Sequence, residues 1–286
     1  MKYTYFPGCS LEGAARPYDR SLRRVMALLA QDLEELPDWN CCGATMYMSV
    51  KETVALALSA RNLGLAERRG GTLLAPCSAC YTTLLKTQRC LKELPRMREQ
   101  VEAALAEAGL PCGLSVPVRH PLDVIVNDVG VGAVARLATR RLDGLKVAPY
   151  YGCQIVRPGP AFDDPDWPTS MDDLFTALGA ECVYFPDRVR CCGGMLATTA
   201  PALGEELTAN VLDCAARNGA DVVLTTCPLC QINLEAHEAR GDGRDPIPVF
   251  FFTQVLGIAL GASATEMDLH RSLVPLGGRL RAALGA

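Results

Sequence analysis

The chain has 286 residues, of which 49% are hydrophobic and 21% charged, and its formal net charge is −4. That length admits one large domain or two ordinary ones with a sizeable core, and the mildly acidic balance excludes a polybasic nucleic-acid surface. Fourteen cysteines are too many to pass over, yet a chain this long is no small disulfide scaffold, which leaves metal ligation or redox chemistry as the expectation.

In chain order, the N-terminus MKYTYFPGCSLEGAARP lacks the apolar run of a secretory signal, so a cytoplasmic protein is expected. KYTYF reads as a short strand leading to Cys9. Leu22, Val25, Met26 and Leu29 then recur at helical spacing. The segment NCCGA, residues 40–44, follows, and after it an alanine-rich helix, VKETVALALSARNLG. The strand GTLLAP ends at the Cys77–Cys80 pair, from which another helix leaves. Leu122, Ile125, Val126 and Val129 fit a helix face, so GVGAVA at 130–135, a G-x-G-x-x-A match, is read as helix and loop rather than a nucleotide site.

The same rhythm begins again near residue 146. KVAPYY leads to Cys153, and PTSMDDLFTALGA supplies a helix with Ser170 and Asp173 as an expected capping pair and Gly179 as its stop. ECVYFP precedes RCCGG at 190–194, GEELTANVLDCAARNG is the next helix, and DVVLTT ends at the Cys227–Cys230 pair. The run IPVFFFTQVLGIALG, residues 247–261, is too short for a bilayer span and is interrupted by Thr253 and Gln254. It reads as a buried strand entering a helix.

The repeat is numerical as well as rhythmic. A shift of 150 carries Cys41, Cys42, Cys77 and Cys80 onto Cys191, Cys192, Cys227 and Cys230 without a gap, and a shift of 144 carries Cys9 onto Cys153. Cys90, Cys112, Cys182 and Cys214 have no counterparts and are read as small hydrophobes. The chain is therefore divided into residues 1–145 and 146–286, two similar α/β units with parallel sheets flanked by helices. All three cysteine elements of each unit are expected just after strands and at helix starts, on the sheet edge where α/β proteins place their sites.

Each half offers five thiols: one single, one doublet and one CxxC. Adjacent α-carbons are about 3.8 Å apart, so a doublet puts two sulfurs into one small volume. An odd number of thiols in a reducing compartment argues against disulfides. Structural zinc takes four ligands and leaves one sulfur spare. A thioredoxin-like dithiol suits CPLC at 227–230 but needs no doublet. Iron–sulfur chemistry remains, with a ligand too many for an ordinary cubane.

In both halves 34 residues lie between doublet and CxxC. With these two full motifs, and with VRHPLDVIVNDVG, YYGCQIVRPG, FDDPDWPTSMDDL and IPVFFFTQVLGIALG around them, the chain resembles the B subunit of heterodisulfide reductase nearly end to end. The resemblance implies two pseudo-symmetric Rossmann-like CCG domains. It implies two noncubane [4Fe-4S] clusters, one on Cys9, Cys41, Cys42, Cys77 and Cys80, the other on Cys153, Cys191, Cys192, Cys227 and Cys230, with one thiolate of each doublet bridging irons. A small disulfide would be cleaved between the clusters, with electrons from a ferredoxin-like C subunit fed by a flavin-containing A subunit. In methanogens the substrate is the mixed disulfide of coenzymes M and B. No nucleotide or flavin is expected on this chain, nor nucleic acid as a partner.

The competing reading is an electron-transfer subunit without catalysis, since CCG domains also occur in lactate-, glycolate- and quinone-linked complexes. A substrate-sized cavity between the clusters would separate the two. His237, seven residues after Cys230, is a candidate proton donor, against the plain reading of a packing histidine. His120 precedes Pro121 and is expected to shape a turn; His270 has no assigned role. Asp163, Asp164 and Asp166 are read as a solvated loop.

Overall fold

Short apolar runs become strands here and the longer 3.6-periodic stretches become helices. The structure, a computed structural model, describes residues 1–44, 47–157, 162–240 and 245–285. The first half contains β1 (Lys2–Tyr5), α1 (Cys9–Glu12), α2 (Arg16–Leu28), β2 (Asp32–Glu35), α3 (Tyr47–Val50), α4 (Glu52–Arg69), β3 (Leu73–Leu74), α5 (Ser78–Glu93), α6 (Pro95–Glu107), β4 (Val118–Arg119), α7 (Pro121–Asp123), a π-helical stretch Val124–Gly130 and α8 (Val131–Leu137). The second contains β5 (Lys146–Tyr150), α9 (Ser170–Ala177), β6 (Glu181–Cys182), α10 (Pro201–Arg217), β7 (Val222–Thr225), α11 (Pro228–Glu238), β8 (Val249–Phe251), α12 (Phe252–Ala259) and α13 (Gly278–Leu284), with 3-10 turns at Pro186–Val189, Gly194–Leu196 and Leu269–Arg271.

Each half forms a four-stranded sheet with every pairing parallel, in the orders β2-β1-β3-β4 and β6-β5-β7-β8. β7 is buried along its whole length, as a parallel strand covered on both faces must be. The strand order reverses between β1 and β3, and again between β5 and β7, so both halves have a switch point flanked by the loops that carry Cys9 and Cys77, and Cys153 and Cys227.

The halves do not fold side by side. α12, which follows the last strand of the second half, packs on α2 of the first, and α7 and α8, which follow the last strand of the first, pack on α9 of the second. Ser21 and Thr253 share a buried hydrogen bond of 2.7 Å across this contact, and Tyr18 stacks on Phe251 at 4.3 Å between ring centroids. One continuous core includes Leu22, Val25 and Met26 with Leu174, Phe175, Val255 and Leu256.

Several details depart from the sequence reading. Ser170 is the first residue of α9, not its cap; Asp163 Oδ2 accepts from the backbone N–H groups of Ser170 at 2.8 Å and Thr169 at 3.1 Å. The acidic loop is thus exposed but ordered, since Asp164 Oδ1 also accepts from Asp166 and Trp167 N–H; its neighbours 158–161 lie outside the described residues. Gly179 ends α9 with a φ of +98°. GVGAVA lies where the π-helical stretch runs into α8, with no strand immediately before it. Of the four unrepeated cysteines only Cys214 is buried; Cys90, Cys112 and Cys182 are half-buried against apolar neighbours. Among the described residues no helix is long and apolar enough to cross a membrane.

Candidate functional site

Cys77 is the residue preceding α5 and Cys227 the residue preceding α11, both with extended backbone, so Cys80 and Cys230 fall in first helical turns; the helix ends favour thiolates there, but the neighbouring thiols and burial push both well above the usual range. Cys9 opens α1, whereas Cys153 sits in a turn. The doublets correct the expectation of helix starts: Cys41–Cys42 and Cys191–Cys192 lie in loops six and nine residues beyond β2 and β6.

Those loops show why glycine follows each doublet. Gly43 has a φ of +80° and Gly193 of +74°, a left-handed conformation that costs other residues about 1–2 kcal/mol. A Cβ on Gly43 would meet the Ala55 carbonyl at 3.0 Å, and one on Gly193 the Gly204 carbonyl at 2.5 Å. The glycines before the single cysteines match as well. Gly8 and Gly152 have φ of +70° and +71°, and a Cβ there would lie 3.1 Å from Cys80 Sγ and 3.3 Å from Cys230 Sγ.

The thiols form strings. In the first half Cys9 meets Cys41, Cys41 meets Cys42, Cys42 Sγ donates to Cys80 Sγ at 3.1 Å, and Cys80 meets Cys77. In the second half Cys153 meets Cys191, Cys192 Sγ donates to Cys230 Sγ at 3.4 Å, and Cys230 meets Cys227. Cys77 and Cys227 also meet, so the two sets approach each other at the seam between the halves. Ser78 and Thr226 hydroxyls, 3.1 Å apart, close that junction. The first thiol of each doublet is drawn down, and in the second half Cys192 and Cys227 are lowered as well. Cys41 is drawn well below its usual range by hydrogen bonds from Cys42 and Cys9, and Cys191 is lowered to about 6 by Cys153, with the Gly193 N–H adding to the effect.

His237 lies on α11 and lines a cavity of about 90 Å³ with Gly193 and Thr208; no contact joins it to any of the ten sulfurs in the described residues. His120 turns out to sit at the seam. It is fully buried, its Nδ1 accepts from Leu122 N–H at 3.1 Å, and its Nε2 lies 2.7 Å from the Pro76 carbonyl beside Cys77. The turn role is right, but the ring also ties β4 to the first CxxC loop. Nothing in its sequence context but Pro121 marks it. A cavity of about 180 Å³ is lined by both halves, including Arg16, Pro17, Gln231, Glu235 and Phe251, though by none of the ten cysteines.

Two parallel α/β units that gather five thiols each at their switch points define a protein of paired cysteine-rich domains. The family description "Cysteine-rich domain" (CCG) matches residues 3–85 and 147–235. The chain belongs to this CCG family, and its relatives include the B subunit of heterodisulfide reductase. It is 32% identical, over 96% of its length and 97% of the relative's, to the 8-methylmenaquinol:fumarate reductase membrane anchor subunit of Wolinella succinogenes. It is 29% identical, over 96% and 94%, to the B subunit of the ferredoxin/F(420)H(2)-dependent CoB-CoM heterodisulfide reductase of Methanosarcina acetivorans. It is 29% identical, over 91% of each chain, to a protein of Archaeoglobus profundus described as like the heterodisulfide reductase B subunit. A solved structure of a hypothetical protein from Helicobacter pylori shares the fold, with a TM-score of 0.76, 15% identity and coverage of 96% of this chain and 52% of that one.

Proposed function

We propose that this chain is the iron–sulfur subunit of a heterodisulfide reductase-like complex in the cytoplasm, and that it reduces, or reversibly oxidises, a small disulfide between two noncubane [4Fe-4S] clusters. The ligands are Cys9, Cys41, Cys42, Cys77 and Cys80 for one cluster and Cys153, Cys191, Cys192, Cys227 and Cys230 for the other. The fit is judged from the donors: the five thiols form one string in the first half and two runs meeting at the adjacent Cys191 and Cys192 in the second, Gly8 and Gly152 leave room beside Cys80 and Cys230, and both doublets carry a thiol that ionises readily. Among the described residues no three donors are gathered as a single-ion site, so the fit rests on donor chemistry and backbone shape. When bound, clusters of this kind supply single electrons and iron sites for thiolates.

The observation that carries the proposal is the Cys77–Cys227 contact. It brings the two sets within reach of the two sulfurs of one disulfide. Cys77 and Cys227 are both buried. Electrons would come from a ferredoxin-like C subunit and a flavin-containing A subunit. His237 is a secondary candidate for proton delivery, since its cavity lies behind the doublet loop of the second half.

A second reading, electron transfer in a quinone-linked complex, is favoured by the 32% identity to the fumarate reductase relative and by a seam cavity without cysteine. Anaerobic purification with the partner subunits separates them. About eight irons per chain with disulfide reductase activity supports the first reading. The same iron with quinone-linked turnover and no disulfide reduction supports the second. About four irons with one zinc removes the two-cluster mechanism.

A further inference from the structure

Tyr18 is wholly buried on α2, and its hydroxyl has no hydrogen-bond partner; the only other such buried side-chain atoms among the described residues are Ser59 Oγ and Thr225 Oγ1. A buried O–H without an acceptor opposes folding, so its retention calls for a reason. The ring is held from two sides, flat on Phe251 and edge-on to Phe252 at 6.3 Å. Phe251 pairs with Thr225 in the β7–β8 ladder, two residues before Cys227. That ladder places the phenol at the end of the strand from which the second CxxC emerges.

The first CxxC lies on the same side. Phe252, which the Tyr18 ring meets edge-on, packs 6.5 Å from the His120 ring, and His120 Nε2 lies 2.7 Å from the carbonyl of Pro76, the residue before Cys77. Cys77 and Cys227 are the two thiols that meet across the seam. The second half has no equivalent group: a shift of 149 carries Leu22, Val25, Met26 and Leu29 onto the buried Met171, Leu174, Phe175 and Leu178, and carries Tyr18 onto Trp167. Trp167 is 42% exposed and lies beneath the Arg188 guanidinium. One unpaired hydroxyl, contributed by one half, is therefore buried beside the strand end that leads to the junction of both.

We propose that Tyr18 donates its hydroxyl hydrogen to a cysteine sulfur at the Cys77–Cys227 junction when these cysteines serve as cluster ligands, and so acts as a positioning residue for both sites. This rests on the ligand reading above. A donor to a ligating sulfur stabilises the more negative, reduced state and raises the reduction potential. In the metal-free protein the same hydroxyl gives no such return.

The test is Tyr18→Phe, which keeps the stack on Phe251 and deletes one oxygen, with Ser59→Ala as a second orphaned hydroxyl on α4. In metal-free protein Tyr18→Phe is expected to melt at or above the wild-type temperature. In iron-loaded protein it is expected to lower the reduction potential and shift the electron paramagnetic resonance signature, while Ser59→Ala leaves both unchanged. A lower melting temperature or loss of folding in metal-free Tyr18→Phe overturns the proposal, because the hydroxyl would then have a partner within the chain. Full iron content with an unchanged potential and spectrum overturns it while leaving the ligand assignment standing. A wild-type chain that binds no iron overturns both.

Discussion

In the first half the doublet loop is held by Asn62, whose side chain accepts from Asn40 N–H at 2.9 Å and donates to the Asn40 carbonyl at 2.8 Å. In the second half the work falls to Thr208 and Asn233, which both donate to the Cys192 carbonyl. The residues 150 positions on from Asn40 and Asn62 are Arg190 and Leu212, so neither pin survives the repeat. What does survive is backbone shape: strand order, the left-handed glycines and the 34-residue interval. The order and spacing of doublet and CxxC are common to both halves, and the polar groups that hold the loops differ. At the seam the halves differ again. Matching the β4 and β8 ladders places His120 where the second half has Phe251, and Tyr18 has no hydroxyl counterpart.

The sharpest test of likeness between the halves is to damage each set once. Cys80→Ala and Cys230→Ala, made separately in the assembled complex, are each expected to abolish disulfide reduction, with the double variant no worse than either, as for groups acting as a unit. Near-normal turnover in Cys80→Ala alone would make the first half a relay.

Next in size, Gly193→Ala is expected to lose more stability than Gly43→Ala in denaturant unfolding. Both suffer the left-handed penalty of about 1–2 kcal/mol, but the new Cβ is 2.5 Å from a carbonyl oxygen in the first variant and 3.0 Å in the second. Equal losses would show that the Gly204 backbone yields.

His120 probes the seam through pH. Burial lowers its pKa from 6.5 to about 4. The unfolded chain therefore takes up a proton that the folded chain refuses, and stability is full above pH 6.5 and falls as pH drops toward 4. The span corresponds to roughly 3 kcal/mol. Metal-free His120→Phe, which copies the second half, is expected to be weaker at neutral pH, having lost the Pro76 contact, but without that acid slope in chemical unfolding.

The smallest effect is expected outside the repeat. Cys90→Ser and Cys214→Ser should retain full iron, whereas Cys42→Ser or Cys192→Ser should lose a cluster or convert it to an ordinary cubane; iron and sulfide analysis decides. Equal loss in both groups would redraw the ligand set.

Much of this is legible in the residues. The cysteine offsets mark the duplication, and alternating β-rich and helical runs mark two parallel sheets. Periodicity reports that Leu22, Val25 and Met26 share an apolar face but not what covers it, and the cover, α12, arrives from more than 220 residues away in the chain. Asp163 escapes a sequence reading as a cap because it reaches α9 from seven residues upstream, beyond the local capping pattern. The doublets invite placement at helix starts because CxxC and CCG both follow strands in sequence, and only the left-handed glycine distinguishes a loop. Tyr18 reads as one more apolar position on α2.

The crossed helices have a bearing on ancestry. Cut near residue 145, each half would bare the apolar side of the helices after its last strand and of the helix after its first cysteine. Two copies of one half would cover those faces by trading the helices after their last strands, as a swapped dimer does. The present chain has the layout of such a pair joined by a short linker, which frees the partners to diverge. Once joined, a change such as Tyr or Trp at equivalent places need be tolerated only once per molecule, and a twofold assembly can acquire a single, off-register feature at its own axis.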